Sequence, residues 1–220
     1  MKTKSFAVIG LGRFGMTIAK TIAEMGHEVL GVDADEEAVQ KVTPYVTHVA
    51  VLDATDEEAL REIGINNFDV VVVAIGANLQ GNLLTTMLLK EMGVRYLVAK
   101  SQDQLQGRML TKIGVDMVIY PERDMAIRVA QSLTREHVLD YFKLSNEVSL
   151  VEMETPHFLA GKTLIDSRLR EDYQVSVVAV RRGEDVYAPP SPMMPLQVED
   201  ILIIVGRNEA VNALDQSMDE

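Results

Sequence analysis

The sequence predicts an α/β chain: a doubly wound parallel sheet with a second, smaller α+β domain behind it. Three observations carry this. Short β-branched runs alternate with segments of helical periodicity from residue 5 to 120. A G-x-G-x-x-G loop closes the first of those runs. From Val148 the pattern changes to strands separated by turns.

The strand runs are Phe6–Ile9, Glu28–Val32, Thr47–Val51, Val70–Ala74, Tyr96–Ala99 and Met117–Ile119. Between them lie helical segments over 13–25, 35–42, 56–63, 79–92 and 104–113. Strand–helix alternation requires right-handed crossovers and hence parallel pairing. The four valines 70–73 suit a central strand covered on both faces. Gly26, Gly64, Gly93 and Gly114 each follow a helical segment, where a left-handed residue ends the helix.

Pro121 suits the first turn of a further helix, expected to reach about Glu136, with Glu122 and Asp124 at its positive end. Residues 137–147 read as a crossover. Then come a strand at 148–154, a short helix near 163–169, a hairpin turning at Gly183, a proline-rich loop, a strand at Ile201–Val205 and a helix over 207–217. The expected division is 1–138, a linker 139–147, and 148–220.

Composition narrows the function. The 220 residues are 47% apolar and 25% charged, as in ordinary globular proteins. The absence of cysteine excludes disulfides, zinc–thiolate and iron–sulfur sites, and cysteine nucleophiles. A net charge of −12, densest in acid after residue 145, opposes binding to a nucleic-acid backbone. The strongest apolar run, 70–77, is too short to span a bilayer, and the N-terminus carries no secretory signal pattern, so a cytoplasmic location is expected.

The loop Gly10-Leu11-Gly12-Arg13-Phe14-Gly15 follows a strand and opens a helix. It precedes Asp33, at the end of the second strand, by 23 residues. This is the context of a Rossmann-like dinucleotide site. Gly10 permits the tight turn, Gly12 admits a pyrophosphate to the backbone amides, and Gly15 lets helix and sheet approach. Asp33 accepts from two ribose hydroxyls and repels a 2′-phosphate. Arg13 adds charge for a third phosphate, in its own site or a neighbouring copy's; alternatively it is a solvated first-turn arginine. Asp53 and Ala74-Ile75-Gly76 sit past the third and fourth strands, where adenine and ribose belong. Asp53 alternatively caps the next helix. Lys100, past the fifth strand, reaches phosphate or is a surface lysine.

The sequence offers no reaction centre. No Walker lysine follows the glycines and no H-E-x-x-H motif is present. His27 and His48 read as structural, His137 as part of the crossover and His157 as a loop residue. A nucleotide sensor is therefore expected rather than an enzyme. The competing readings are an NAD-dependent oxidoreductase and a redox-sensing transcription factor; the missing acid/base group opposes the first, the acidic charge the second.

Four stretches together carry a family resemblance: FAVIGLGRFG with its later VD, VVVAIGANLQGNLLTTMLLKEMGV, IYPERDMA, and LAGKTLIDSRLREDYQVSVVAVRRG. The chain resembles the cytosolic regulatory subunit of bacterial Ktr/Trk potassium-uptake systems, built from an RCK N (TrkA-N) and an RCK C (TrkA-C) domain. The resemblance implies an octameric ring of dimers, peripheral to the inner face of the cell membrane and bound to a potassium-translocating subunit. It implies ATP, ADP or NAD(H) as ligand, with ATP favouring the activating ring shape. Arg13 matches the arginine that reaches the terminal phosphate of ATP held by the adjacent subunit, and Asp33 the ribose-binding acid. Glu122 matches a residue of a divalent- or sodium-cation site at the dimer interface; read from the sequence alone it is a helix-start carboxylate. Arg170 matches an arginine of the cyclic di-AMP cleft. Here two acids, Glu171 and Asp172, follow it, and the alanine and glycine of the family pattern are replaced. Under this reading the helix after Pro121 is a lever, anchored by Leu139, Tyr141 and Phe142 swapping onto a partner.

Overall fold

A computed structural model describes residues 3–218. It divides into two compact units, the first running to Arg123 and the second starting at Asp124.

The first unit alternates strictly: β1 (Ser5–Ile9), α1 (Arg13–Glu24), β2 (Glu28–Asp33), α2 (Glu36–Val42), β3 (His48–Val51), α3 (Glu57–Glu62), β4 (Val70–Val73), α4 (Leu79–Glu91), β5 (Leu97–Lys100), α5 (Gln104–Ile113) and β6 (Met117–Ile119). All pairings are parallel, in the order β3-β2-β1-β4-β5-β6. The direction of winding therefore reverses between β1 and β4, and a crevice opens at their carboxyl ends.

The two faces of this sheet carry separate cores. Ala7, Ile9, Val71 and Val73 pack with Leu60, Leu89 and Leu110. Val8, Val72 and Val98 pack with Leu11, Ala19 and Val39 on the other side. This alternation explains the unbroken valine run, since both faces of β4 are dry. The four helix-ending glycines take positive φ, between +64° and +96°.

The helix α6 (Pro121–Leu133) has no buried residue. It is shorter than the sequence suggests, and the expected crossover is instead a strand. β7 (Val138–Lys143) pairs antiparallel with β8 (Val148–Glu154) at the edge of a second sheet. A register shift between Val138 and Asp140 puts Val138 and Tyr141 both inward, although they are three residues apart, while Leu139 and Phe142 stay exposed. Tyr141, 3% exposed, belongs to its own unit's core, so of the three proposed swapping anchors only Leu139 and Phe142 remain accessible.

The sheet continues with β9 (Val175–Arg182), β10 (Asp185–Tyr187) and β11 (Ile201–Arg207), in the antiparallel order β10-β9-β11-β8-β7. Two helices, α7 (Leu169–Asp172) and α8 (Asn208–Gln216), complete the unit. α7 starts later than expected. Residues 163–166 form a turn closed by the Thr163 hydroxyl, which donates to Asp166 (2.6 Å) and accepts its amide (3.2 Å).

One ion pair anchors this second core. Arg182 Nε and a terminal guanidinium nitrogen donate to the two carboxylate oxygens of Asp200, each at 2.7 Å, and Asp200 is fully buried. Burial alone would raise the Asp200 carboxyl. The Arg182 guanidinium and the Gln197 amide overrule it and hold the group below its usual range. A depressed folded value stabilises above the unfolded value of about 3.9 and is lost as pH falls through the folded one. Asp200→Asn should therefore lower stability by about 3 kcal/mol near neutral pH, and the gap to the parent should narrow below about pH 4. Thermal melts at neutral and acid pH check both.

Candidate functional site

The loop from β1 to α1 is built around three glycines with three different duties. Gly10 has φ +93°, and a Cβ on it would stand 2.9 Å from the Ile75 amide nitrogen. At Gly15 a Cβ would overlap the Gly10 carbonyl oxygen. At Gly12 nothing lies within 4 Å of the Cβ position. Two glycines thus close the loop against β4, and the third leaves space above the helix mouth.

That mouth is uncapped. Asp35, Asp56, Asn78 and Asp103 accept first-turn amides at the starts of α2, α3, α4 and α5. Gly12 offers α1 no side chain, and its first turn holds no acidic residue. The amides there are left for an exogenous acceptor, and the helix dipole favours an anion.

A cleft of about 300 Å³ lies at this point, lined by Gly10, Gly12, Asp33, Asp53 and the Ala74–Gly76 wall, among others. Ala34, Leu52 and Ala54 add apolar surface. Size and lining suit a nucleoside with its phosphates toward the helix. Asp33 Oδ2 accepts from the Leu11 amide (2.6 Å) and Oδ1 from the Asp35 amide (2.9 Å). It braces the glycine loop from beneath and keeps lone pairs for hydroxyl donors. Asp53 does not cap α3; Asp56 does. Asp53 instead accepts the Thr55 amide and hydroxyl, and the amide first, then the hydroxyl, hold its carboxyl below the usual range.

The remaining expected residues stand around the cleft rather than in its lining. Arg13 is exposed at the first position of α1. The Phe14 ring lies 5.6 Å from the Lys100 ammonium. Lys100 is turned toward Glu122, Nζ to Oε1 at 2.5 Å. Glu122 is held below the usual carboxylate range, first by the Lys100 hydrogen bond and further by the charge on Arg13. Among the described residues, no group of three or more His, Asp or Glu is placed to hold a metal ion. A cation at Glu122 would need donors from a nucleotide or a second copy. Arg170 lies in the second unit, exposed on a separate cleft of about 260 Å³ lined also by Ile165, Ser176 and Pro189.

Sequence reasoning missed the residues that fix the wall. Asn82 is fully buried and donates from Nδ2 to the carbonyls of Ile75 (2.8 Å) and Lys100 (3.1 Å), tying two strand ends together. Thr85 donates to the Ala54 carbonyl at 3.0 Å. Gln102 donates to the Gly76 carbonyl at 2.5 Å. The available signal was spacing: Asn82, Thr85 and Thr86 share one face of α4.

The cleft lining holds no histidine, tyrosine or lysine, and both its carboxylates engage backbone amides. The arrangement suits holding an anion and a ribose.

Residues 6–121 match the TrkA-N domain family and residues 148–219 the TrkA-C domain family. The chain is 45% identical over 203 residues to the Ktr system potassium uptake protein C of Bacillus subtilis, covering 92% of each. It is 42% identical over 215 residues to the Ktr system potassium uptake protein A of the same organism, covering 98% of this chain and 97% of that one. Among solved structures, the GsuK RCK domain superposes with a TM-score of 0.70 at 15% identity, over all of this chain and 48% of that one, so this chain spans about half its length. No helix among the described residues is long and apolar enough to cross a membrane.

Proposed function

The chain belongs to the family that joins a TrkA-N to a TrkA-C domain, and on that premise we propose that it is the nucleotide-controlled regulatory subunit of a membrane potassium-uptake system. The cleft between β1 and β4 holds ATP or ADP. The phosphates meet the uncapped amides of α1, Asp33 takes the ribose, and the Ala74–Gly76 wall covers the base. NAD(H) presents the same adenylate half and fits the same contacts. Arg13, exposed at the helix mouth, supplies charge to a terminal phosphate, in its own cleft or in that of an adjacent copy in a ring of dimers. Phosphate number thereby becomes a difference in contacts. Such differential contacts bias the assembly between two states, and the assembly biases the transporter.

The carrying observation is the contrast at helix starts. α2, α3, α4 and α5 are capped by their own side chains, while the helix after the glycine loop has open space at Gly12 and no cap. The test is calorimetry with ATP and ADP on the parent and on Arg13→Ala. The substitution should lower the ATP-to-ADP affinity ratio about tenfold, the scale of one charge-assisted phosphate contact. An unchanged ratio removes Arg13 from phosphate sensing. In the second unit, Arg170 at the mouth of its cleft is the residue proposed to meet a cyclic dinucleotide. Glu122 is the carboxylate proposed to meet a cation, with phosphate oxygens or a second copy completing the shell.

A further inference from the structure

Polar contacts rather than packing hold the helix α6. None of its residues is buried. Arg128 pairs with the Asp140 carboxylate on β7. The joint that follows, residues 134–137, and the strand behind it are tied to α8. Arg135 Nε donates to Asn212 Oδ1 at 2.9 Å, the His137 amide to Asp215 Oδ1 at 3.2 Å, and the Tyr141 hydroxyl to Asn208 Oδ1 at 3.2 Å. The three acceptors stand at positions i, i+4 and i+7 of one helix, so they form a single stripe. The neighbouring face of α8 carries Val211 and Leu214, both fully buried in the second core. α8 is thus seated by its apolar face and offers a row of oxygens to the joint. Each such hydrogen bond contributes about 1 kcal/mol, enough to favour one angle of the joint and little enough to be lost in a single substitution.

We propose that α8 is a clasp on the joint between α6 and β7: its three oxygens fix the angle at which α6 leaves the second sheet, so that a turn of α6 carries that sheet with it. The clasp itself stands apart from the nucleotide cleft; its use in control rests on the nucleotide reading, in which the assembly moves between two states. A helix with no buried face, joined to a sheet through a few unrestrained residues, swings independently of that sheet. With the clasp closed, Arg135 and the His137 amide are bound to a helix seated in the core. The Arg135 guanidinium also lies over the ring of Tyr141, itself a core residue, at 5.1 Å from its centre.

Two double substitutions in the full chain test this. Asn212→Ala with Asp215→Ala removes two of the acceptors. It leaves α8 itself no weaker, since alanine is the better helix former and an acidic residue near a helix C-terminus opposes the dipole. Asn212→Asp with Asp215→Asn keeps both acceptors and the net charge. Hydrogen exchange read by mass spectrometry should quicken about tenfold over residues 134–138 in the alanine pair, the effect of losing one hydrogen bond. It should stay at the parent rate there in the exchanged pair, and over β11 in both. No quickening in the alanine pair, equal quickening in both pairs, or quickening that extends through β11 overturns the clasp. The difference in hydrodynamic radius between ATP-bound and ADP-bound protein should shrink in the alanine pair, with ATP affinity kept, and persist in the exchanged pair. An undiminished difference in the alanine pair overturns the coupling of helix to sheet. A parent that binds neither nucleotide, or shows no such difference, removes the nucleotide reading and leaves the exchange rates to decide the clasp.

Discussion

Gly12→Asp should abolish adenine-nucleotide binding while leaving the protein at least as stable as before. The two effects have one cause. Gly12 stands at the N-cap of α1 with φ −63°, a conformation open to any residue, and its Cβ position is empty to 4 Å. An aspartate there accepts first-turn amides as Asp35 and Asp56 do at their helices. A side-chain cap replacing glycine stabilises by a few tenths of a kcal/mol. The same carboxylate occupies the phosphate position and adds a like charge, for a loss of about 100-fold or more in affinity. Calorimetry with ATP and a thermal melt read both. A melt that falls sharply would mean the space at Gly12 is not free, and retained affinity would mean that the phosphates lie elsewhere.

Three residues on, Gly15→Ala reverses the usual sign of helix propensity. In an exposed helix, alanine is favoured over glycine by about 1 kcal/mol. Here the new methyl would overlap the Gly10 carbonyl oxygen and come within 3.1 Å of the Ala74 Cβ. Because the carbonyl is backbone, relief requires α1 to move off the sheet. We expect a net loss of about 3 kcal/mol in the first unit, at the upper end of overpacking effects. Urea unfolding measures it. A neutral or stabilising result would show that helix and strand tolerate a wider approach than the loop geometry gives.

The contrast between these glycines shows what kind of information the sequence held. The cradle is made of backbone, so its signature is the absence of side chains at fixed offsets, and that is readable in one dimension. The parallel sheet was readable for a similar reason: α1, α3, α4 and α5 each run into a glycine, and the central strand β4 is valine throughout. The edge strand β7 was not. A register shift between Val138 and Asp140 breaks its alternation, and only the fold shows that the Asp140 carboxylate is paired with Arg128 on the preceding helix. The fixed wall of the cleft was hidden as well. Asn82 donates to two carbonyls from separate strands, a role set by the adjacency of β4 and β5. The Lys100–Glu122 pair likewise joins residues 22 apart, because β5 and β6 lie side by side and bring their carboxyl ends together. Such pairings follow from topology rather than spacing, and a single sequence carries them only through the fold.

The central claim, that adenylate phosphates rest on the amides opening α1 while Asp33 holds the sugar, is tested most directly by crystals of the protein grown with saturating ATP. The account predicts phosphate density against the amides of residues 13–15 and ribose hydroxyls on the Asp33 carboxylate. Density for ATP elsewhere, with the crevice between β1 and β4 empty, would contradict it.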